Sequence, residues 1–143
     1  MSRTSKPRKL KKSGRSISKK GLQKKIEHLI RDYLIKTRNN GVCELGGCGK
    51  VATQADHCFS RLIRQIAFTP SNLTAVCAGH NRAKKLNPLV QIAVEKHVCM
   101  REGTREFKRL QRIRFANKPF PKWNDWTWLE GQLKKAEALH AKM

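Results

Sequence analysis

The stretch Asn72–Arg82 reads NLTAVCAGHNR and joins a short β-prone run to a closely spaced cysteine and histidine. The run of residues 72–77 follows the turn-forming sequence Thr-Pro-Ser, which predicts a short strand. Two residues separate Cys77 from His80, and we expect a helix to begin in this segment. The stretch therefore predicts a strand that runs through a pair of metal ligands into a helix.

A second ligand pair lies upstream, where Glu-Leu-Gly-Gly separates Cys43 from Cys48. Two pairs with short gaps supply the four ligands of a tetrahedral structural zinc ion, Cys43, Cys48, Cys77 and His80. Glycines in both gaps permit the left-handed backbone that such turns require. The total of five cysteines is odd, and the N-terminus lacks a secretion signal, so zinc is favoured over disulfides. We expect Cys58 and Cys99 to be buried fillers, with Cys58 as an alternative ligand.

Charge is the strongest feature of the composition. The 143 residues include 32 Lys and Arg but only 10 Asp and Glu, a formal net charge of +22. Such a charge opposes compaction and indicates a polyanionic partner, with nucleic acid favoured over an acidic membrane surface. No apolar run approaches the length of a membrane span and no signal peptide is evident, which favours a soluble cytoplasmic protein.

Three regions follow from the composition along the chain. Residues 1–20 hold nine Lys and Arg and no acid, which predicts a disordered basic arm that contacts DNA phosphates. Residues 21–100 are expected to form a zinc-stapled core with a preceding helix. Residues 101–143 are expected to form a helical extension.

Apolar periodicity predicts four helices. The first begins near Leu22 and ends near residues 39–41, Asn-Asn-Gly. The second spans residues 86–98; alternatively it begins at Gly79 and is kinked at Pro88. The third spans 104–115, and the last is capped by Asn124 or Asp125. The residues expected to pack are Leu22, Ile26, Leu29, Ile30, Tyr33 and Leu34 in the first helix, Leu89, Val90, Ile92 and Ala93 in the second, and Trp123, Trp126, Trp128, Leu129 and Leu133 near the C-terminus.

Asp56 and His57 form an isolated acid–imidazole pair, because Asp56 is the only acid from Leu45 through Val94. Neighbouring cations should keep Asp56 ionised, and its carboxylate suits a hard divalent ion. His57 suits the role of general base, since a histidine ordinarily titrates near neutrality. A regular strand would point the two side chains to opposite faces, so we expect a bulge or strand end near His57. The alternative for Asp56 is a salt bridge with a nearby arginine.

Asn81 directly follows His80, so a bound zinc ion would also fix its position. Its side-chain oxygen could then complete a Mg²⁺ or Mn²⁺ site with Asp56. The basic residues near this pair are candidates for phosphate contacts: Arg61, Arg64, Arg82, Lys84 and Lys85.

At these residues the sequence resembles the HNH (ββα-metal) nucleases, most closely their phage recombination branch, the NinG (Rap) proteins. Residues 55–61, ADHCFSR, are similar to the family segment GH-aromatic-aromatic-Ser-Arg, and residues 72–82 to its N…C-x-x-C-N-R segment. The resemblance covers about residues 22–95. It implies an α+β fold, in which a β-hairpin and a helix surround a metal ion.

The resemblance also implies a chemistry. His57 would be the general base, Asp56 and Asn81 would hold Mg²⁺ or Mn²⁺, and Asn72 would brace the hairpin loop. Ser60, with the basic residues, would contact DNA. The implied substrate is branched DNA such as a Holliday junction, whose symmetric cleavage would require a homodimer.

Three departures from the family pattern leave alternatives open. The first cysteine pair has a gap of four residues rather than two, and glycine more often precedes the position of His57. The second pair ends in His80 where the family usually has cysteine. His80 could therefore be a third catalytic histidine, which would leave the role of Asn81 open. The other functions considered are a non-catalytic zinc-dependent nucleic-acid-binding module, a nickase associated with DNA packaging and a basic RNA-binding structural protein.

Overall fold

The computed structural model describes residues 17–116 and 125–143. The expected arm therefore falls largely outside the described residues, as do Trp123 and Asn124. The described part of the chain contains five α-helices, one two-stranded sheet and three short 3-10 helices, which together form an α+β fold. The elements are α1 (Lys19–Thr37), β1 (Gln54–His57), β2 (Leu73–Val76), α2 (Ala78–Leu86), α3 (Pro88–Glu102), α4 (Thr104–Phe115) and α5 (Trp126–His140).

Helix α1 begins where the Ser18 side chain accepts a hydrogen bond from the backbone N–H of Gly21 at 3.0 Å. It therefore begins two residues before the expected boundary of the arm at residue 20. Its buried stripe, Leu22, Ile26, Ile30 and Leu34, follows the predicted periodicity. The helix ends at Thr37, and residues 39–41 then adopt positive φ angles, which confirms the predicted Asn-Asn-Gly stop.

Asn87 and Pro88 divide the second predicted helix in two. Helix α2 already begins at Ala78, close to the alternative start, and α3 begins anew at Pro88 instead of continuing through a kink. The Asn87 side chain caps α3 by accepting a hydrogen bond from the backbone N–H of Leu89 at 3.0 Å. The proline fits here because the first turn of a helix has no internal partner for its N–H groups.

The expected apolar face of α3 is wrong. Leu89 and Ile92 are 70% and 49% exposed, whereas Val94 and Val98 are fully buried. Ala93 is also exposed. The helix carries apolar residues on more than one side, and packing against the sheet and α4 selects the side with the two valines. Local periodicity alone cannot make that choice.

The two strands are antiparallel, with Asp56 opposite Thr74 and His57 opposite Leu73. A long loop, residues 58–72, joins them, and α2 follows β2 after one residue. His57 is the last residue of β1, so the expected strand end is confirmed. All four residues of β2 are buried, which fixes the register of the sheet between the helices.

Two groups of buried side chains hold the fold together. The first, which we call the α1–α5 cluster, comprises Leu22, Ile26, Ile30, Leu34, Ala52, Phe68, Leu73, Ala75, Leu129, Leu133 and Ala136. The second, which we call the cysteine-side cluster, comprises Cys43, Leu45, Cys58, Phe59, Ile63, Ile66, Val76, Cys77, Val94, Val98 and Leu110. The sheet contributes to both, so it joins the two halves of the core.

Helix α5 confirms the expected C-terminal packing. The Asp125 side chain caps it by accepting a hydrogen bond from the Trp128 backbone N–H at 3.1 Å. Trp126 and Trp128 pack against the α1–α5 cluster, and the Trp128 ring stacks on Phe68 at a centroid distance of 5.7 Å. Among the described residues, every helix is too short or too polar to cross a bilayer.

Candidate metal centre and adjoining cleft

The side chains of Cys43, Cys48, Cys77 and His80 converge on one point. Their four ligand atoms lie within 4.8 Å of one another. The Sγ atoms of Cys43 and Cys77 lie 3.3 and 3.4 Å from Nδ1 of His80. Tetrahedral zinc, with bonds of about 2.3 Å to sulfur and 2.0 Å to nitrogen, separates such atoms by roughly 3.5 Å. The donor set and its spacing therefore fit a structural zinc ion.

The local backbone explains how the two pairs converge. Gly47 and Gly49 adopt positive φ angles of 90° and 63°, which lets the first turn curl back on itself. In the second pair, Cys77 caps α2, and its sulfur accepts a hydrogen bond from the His80 backbone N–H at 3.4 Å. Gly79 lies inside the helix and needs no special conformation, so its expected role in the turn is wrong.

The remaining cysteines lie outside the metal cluster, among the described residues. Cys58 is buried in the cysteine-side cluster, as expected of a filler, and its alternative role as a ligand is not supported. Cys99 is only partly buried, so the expectation of a buried filler is wrong at that position. Both observations leave the four predicted ligands as the cluster that can hold a metal.

Two of the cluster thiols differ in acidity. Burial raises the pKa of Cys43 to about 11. The pKa of Cys77 is lowered to about 7, chiefly by the hydrogen bond from the His80 backbone N–H. Zinc takes the thiolate form, so metal binding would release protons from both sites.

Beside the cluster lies a buried carboxylate that sequence reasoning missed. Glu44 Oε1 accepts hydrogen bonds from His97 at 2.8 Å and from Arg101 at 2.9 Å. Glu44 Oε2 accepts from Arg38 at 3.2 Å and from the Ala75 backbone N–H at 2.6 Å. Burial alone would raise the pKa of Glu44, but these partners lower it to about 2. Glu44 thus ties the first metal-binding turn to the sheet, α1 and α3.

Asp56 lies on β1 with only 8% of its surface exposed. Its Oδ1 atom pairs with the ammonium of Lys84 at 3.0 Å, so the expected alternative of a salt bridge holds, with lysine instead of arginine. The same ammonium donates to the backbone carbonyl of His57. Burial raises the pKa of Asp56, while Lys84 and Lys85 act in the opposite direction. The expectation that neighbouring cations keep Asp56 ionised therefore left out burial, which acts in the opposite direction and has the larger effect on its pKa.

His57 lies beside the loop that joins the strands. Its Nε2 atom is 2.8 Å from the carbonyl oxygen of Ala67. A neutral imidazole must donate its N–H to this acceptor, which leaves the lone pair on Nδ1. Burial lowers the pKa of His57 to about 4, so the expected titration near neutrality is wrong. The ring is neutral at physiological pH.

Asn81 is partly buried in the first turns of α2, immediately after His80. Its side-chain N–H₂ donates to the Oε1 atom of Gln54 on β1, a partner that the sequence did not suggest. The Asn81 oxygen is not used in that bond. The structure therefore holds Asn81 near the start of β1, and it attaches Asn81 and Asp56 to different partners.

Three of the four predicted catalytic side chains, Asp56, His57 and Asn81, line one cleft of about 430 Å³, whereas Asn72 is not part of its lining. Helix α1 forms another wall of this cleft through Glu27, His28 and Arg31. This wall was not predicted, because nothing in the local sequence of α1 indicates what its polar face lies against. The cleft thus combines a carboxylate, a neutral imidazole and an amide in a strongly basic protein.

Asn72 has the bracing role that was expected of it. The residue is fully buried, and its side chain accepts from the Phe59 backbone N–H at 2.8 Å. It also donates to the carbonyl oxygens of Phe59 at 3.0 Å and Ile66 at 3.2 Å. These bonds fix both ends of the loop that presents the Ala67 carbonyl to His57.

The candidate phosphate-binding residues differ in their surroundings. Lys84 is only 18% exposed, and its ammonium is paired with Asp56 instead of pointing freely into solvent, so its role as a phosphate contact stays a prediction. Arg61 pairs with Glu27 at 2.8 Å at the cleft edge. Arg82 and Lys85 are exposed, and Lys85 lines the cleft. Arg64 is half-buried, and the exposed Ser60 accepts a hydrogen bond from the Leu62 backbone N–H at 3.1 Å.

Oxygen atoms in this cleft can bind a hard cation, and His57 Nδ1 can accept a proton from water. The neighbouring cysteine cluster offers a separate, softer donor set for a structural ion. Comparisons of the chain with protein-family models, with curated proteins and with solved structures return no match.

Proposed function

We propose that this protein is a zinc-stabilised, metal-dependent DNA endonuclease of the HNH type that hydrolyses phosphodiester bonds in branched DNA. The observation that carries the proposal is the setting of His57. It ends β1, its Nε2–H is fixed on the Ala67 carbonyl, and it lines a cleft with a buried carboxylate. That is the arrangement a general base needs.

His57 acts by taking a proton from the attacking water. With a pKa of about 4, all of it is in the base form at neutral pH, and Nδ1 carries the lone pair. The low pKa also makes it a weak base, which costs driving force for the proton transfer. Ala67 offsets part of this cost, since its carbonyl stabilises the imidazolium that forms.

Asp56 and Asn81 supply oxygen ligands for Mg²⁺ or Mn²⁺. Such an ion, when bound, acts as a Lewis acid toward the scissile phosphate and stabilises charge on the leaving oxygen. The Asp56 carboxylate already binds one cation, the ammonium of Lys84, which supports its proposed role as a ligand of a metal ion. A zinc ion bound to His80 would help to position Asn81, which directly follows it in α2.

DNA is the polyanion that best suits a formal net charge of +22. Exposed basic groups stand at or near the cleft, among them Arg61, Arg82 and Lys85. They favour recognition of the phosphate backbone and of DNA shape over the reading of bases. The preference for branched DNA rests on the resemblance to NinG proteins, and symmetric cleavage of a junction would require two copies of the chain.

The proposal is tested by comparing wild type with His57→Ala on a four-way junction and a linear duplex, with and without Mg²⁺. We expect His57→Ala to cleave about 10²- to 10⁴-fold more slowly, with DNA binding unchanged. The control is His28→Ala, which removes an exposed imidazole from the same cleft. Cleavage by His57→Ala at the wild-type rate would refute the assignment.

A second candidate is a non-catalytic, zinc-dependent nucleic-acid-binding module. It is favoured by two observations, the pairing of Asp56 with Lys84 and of Asn81 with Gln54. Binding of DNA without cleavage in Mg²⁺ or Mn²⁺ would support it. Equal nicking of duplex and junction would instead indicate a nickase of the kind associated with DNA packaging.

A further inference from the structure

Lys84 is a largely shielded cation beside the candidate cleft, and it has no role in the chemistry proposed above. It extends from α2 to contact two oxygen atoms of β1, Asp56 Oδ1 at 3.0 Å and the backbone carbonyl of His57. The side chains of Lys84 and Asp56 are only 18% and 10% exposed. This pair is therefore much less open to water than an ordinary surface salt bridge.

A carboxylate and a backbone carbonyl are also the oxygen types that a hard divalent ion selects. An ammonium that touches Asp56 Oδ1 occupies the position next to this oxygen that a divalent ion sharing it would need. Two cations sharing one carboxylate oxygen at this depth repel each other strongly, because the surroundings screen charge poorly. The pair therefore makes occupation by Lys84 and occupation by a divalent ion mutually exclusive.

We propose that Lys84 is a built-in competitor for the divalent ion of the cleft, so that the metal binds only when the ammonium leaves Asp56. The inference rests on the proposed function for the position of that ion. The long, flexible stem of lysine allows the ammonium to move away without any change in α2. The affinity of the cleft for metal is then set by the strength of the Lys84–Asp56 pair.

The chain provides a matched control in the next residue. Lys85 has the same charge, lines the cleft and acts on Asp56 from a distance, but it is exposed. Replacing either lysine with methionine removes one positive charge and keeps most of the stem. A difference between the two variants therefore measures direct competition and not the general field of the protein.

The experiment titrates full-length, zinc-loaded protein with Mn²⁺ and follows the free ion by electron paramagnetic resonance. The Lys84 ammonium repels a cation that binds to Asp56, so Lys84→Met should tighten Mn²⁺ binding by about tenfold or more. Lys85→Met should tighten it by about threefold or less. Lys84→Arg keeps the charge and should bind Mn²⁺ as weakly as wild type. Adding Asp56→Asn to Lys84→Met should abolish the gain.

Equal Mn²⁺ affinity in Lys84→Met and Lys85→Met would overturn the inference, as would weaker binding in Lys84→Met. Zinc content and thermal melting verify the fold, and Lys84→Gln provides the same comparison if the methionine variant does not fold. DNA cleavage is measured separately. If Lys84→Met binds Mn²⁺ more tightly but the wild type does not cleave DNA, Lys84 competes with the ion and the nuclease proposal is refuted. If the wild type cleaves DNA but Lys84→Met shows no such gain, the nuclease proposal is supported and competition by Lys84 is refuted.

Discussion

The cysteine cluster and the Asp56 cleft are built from neighbouring parts of the same chain, yet they differ in how their groups meet. In the cluster, four ligand atoms converge within 4.8 Å. In the cleft, Asp56, His57 and Asn81 line the same space, but the side chain of each is bound to a different partner. The cysteine cluster consists of two short turns, so local backbone geometry brings its ligands together. The cleft is formed by separate helices and strands, so its arrangement depends on which partners bind each side chain.

The two regions also differ in what surrounds them. Cys43 and Cys77 belong to the cysteine-side cluster and are almost fully buried, so any ion held there is part of the core. The cleft is open to solvent and has charged side chains in its lining, and these groups can exchange partners with solvent or ligand. We therefore expect the first region to determine stability and the second to determine chemistry.

Removing a metal ligand should have the largest effect on stability, and it tests whether the cysteine cluster determines the stability of the fold. Cys77→Ser should lose zinc because one of the four ligands is gone, whereas the serine hydroxyl can still cap α2. Structural zinc contributes on the order of 10 kcal/mol or more, comparable with the whole stability of a domain this size. We expect the cysteine-side cluster to unfold, as measured by zinc content and circular dichroism.

Cys99→Ser is the matched control, since Cys99 is a cysteine outside the metal cluster. It should retain zinc and melt within a few degrees of wild type, because about 1 kcal/mol shifts the melting temperature only modestly. If Cys77→Ser had the melting temperature of wild type, the cysteine cluster would not determine the stability of the fold. The proposed difference between the cluster and the cleft would then be wrong.

Acid should lower the free energy of unfolding through His57, by less than the loss of zinc would. Its pKa is about 4 in the folded protein and near 6.5 in the unfolded chain, so the unfolded state binds the proton first. His57 therefore costs no stability above pH 6.5, and the fold loses at most about 3 kcal/mol as pH falls from 6.5 to 4. Unfolding in urea at several pH values measures this loss.

His57→Gln serves as the reference for that measurement because it cannot titrate. The difference in unfolding free energy between wild type and variant should change between pH 6.5 and 4 and then level off. Glu44 responds to acid in a lower window, since its pKa is about 2 against an ordinary 4.5. A difference that is flat across pH 4–6.5 would mean that His57 is not buried as a neutral ring.

Local patterns in the sequence predicted much of this molecule. The stripe of α1, the bounds of α4 and the cap of α5 follow from spacing and capping residues within a few positions of each other. The four metal ligands follow from two short gaps. Asn72 was assigned its bracing role through the family resemblance, and the structure gives it buried hydrogen bonds that match.

The sequence did not predict contacts that depend on distant partners. Glu44 meets His97 and Arg101 across more than 50 positions, and Lys84 meets Asp56 across 28. The buried face of α3 was missed for the same reason, since it is chosen by what the helix packs against. Burial also reversed the expected acidity of His57, because desolvation is a property of the folded environment.

The bond between Gln54 and Asn81 gives the smallest and sharpest test of how the cleft is held. Removing it with Gln54→Ala or Asn81→Ala should each cost about 1 kcal/mol, since both residues are only partly buried. The double variant should cost no more than the larger single loss, because both substitutions remove one bond. Urea unfolding of the four proteins measures this coupling free energy. Strictly additive losses would mean that the cysteine cluster positions Asn81 through His80 alone, and the cleft would then be an extension of the cluster instead of a separate region.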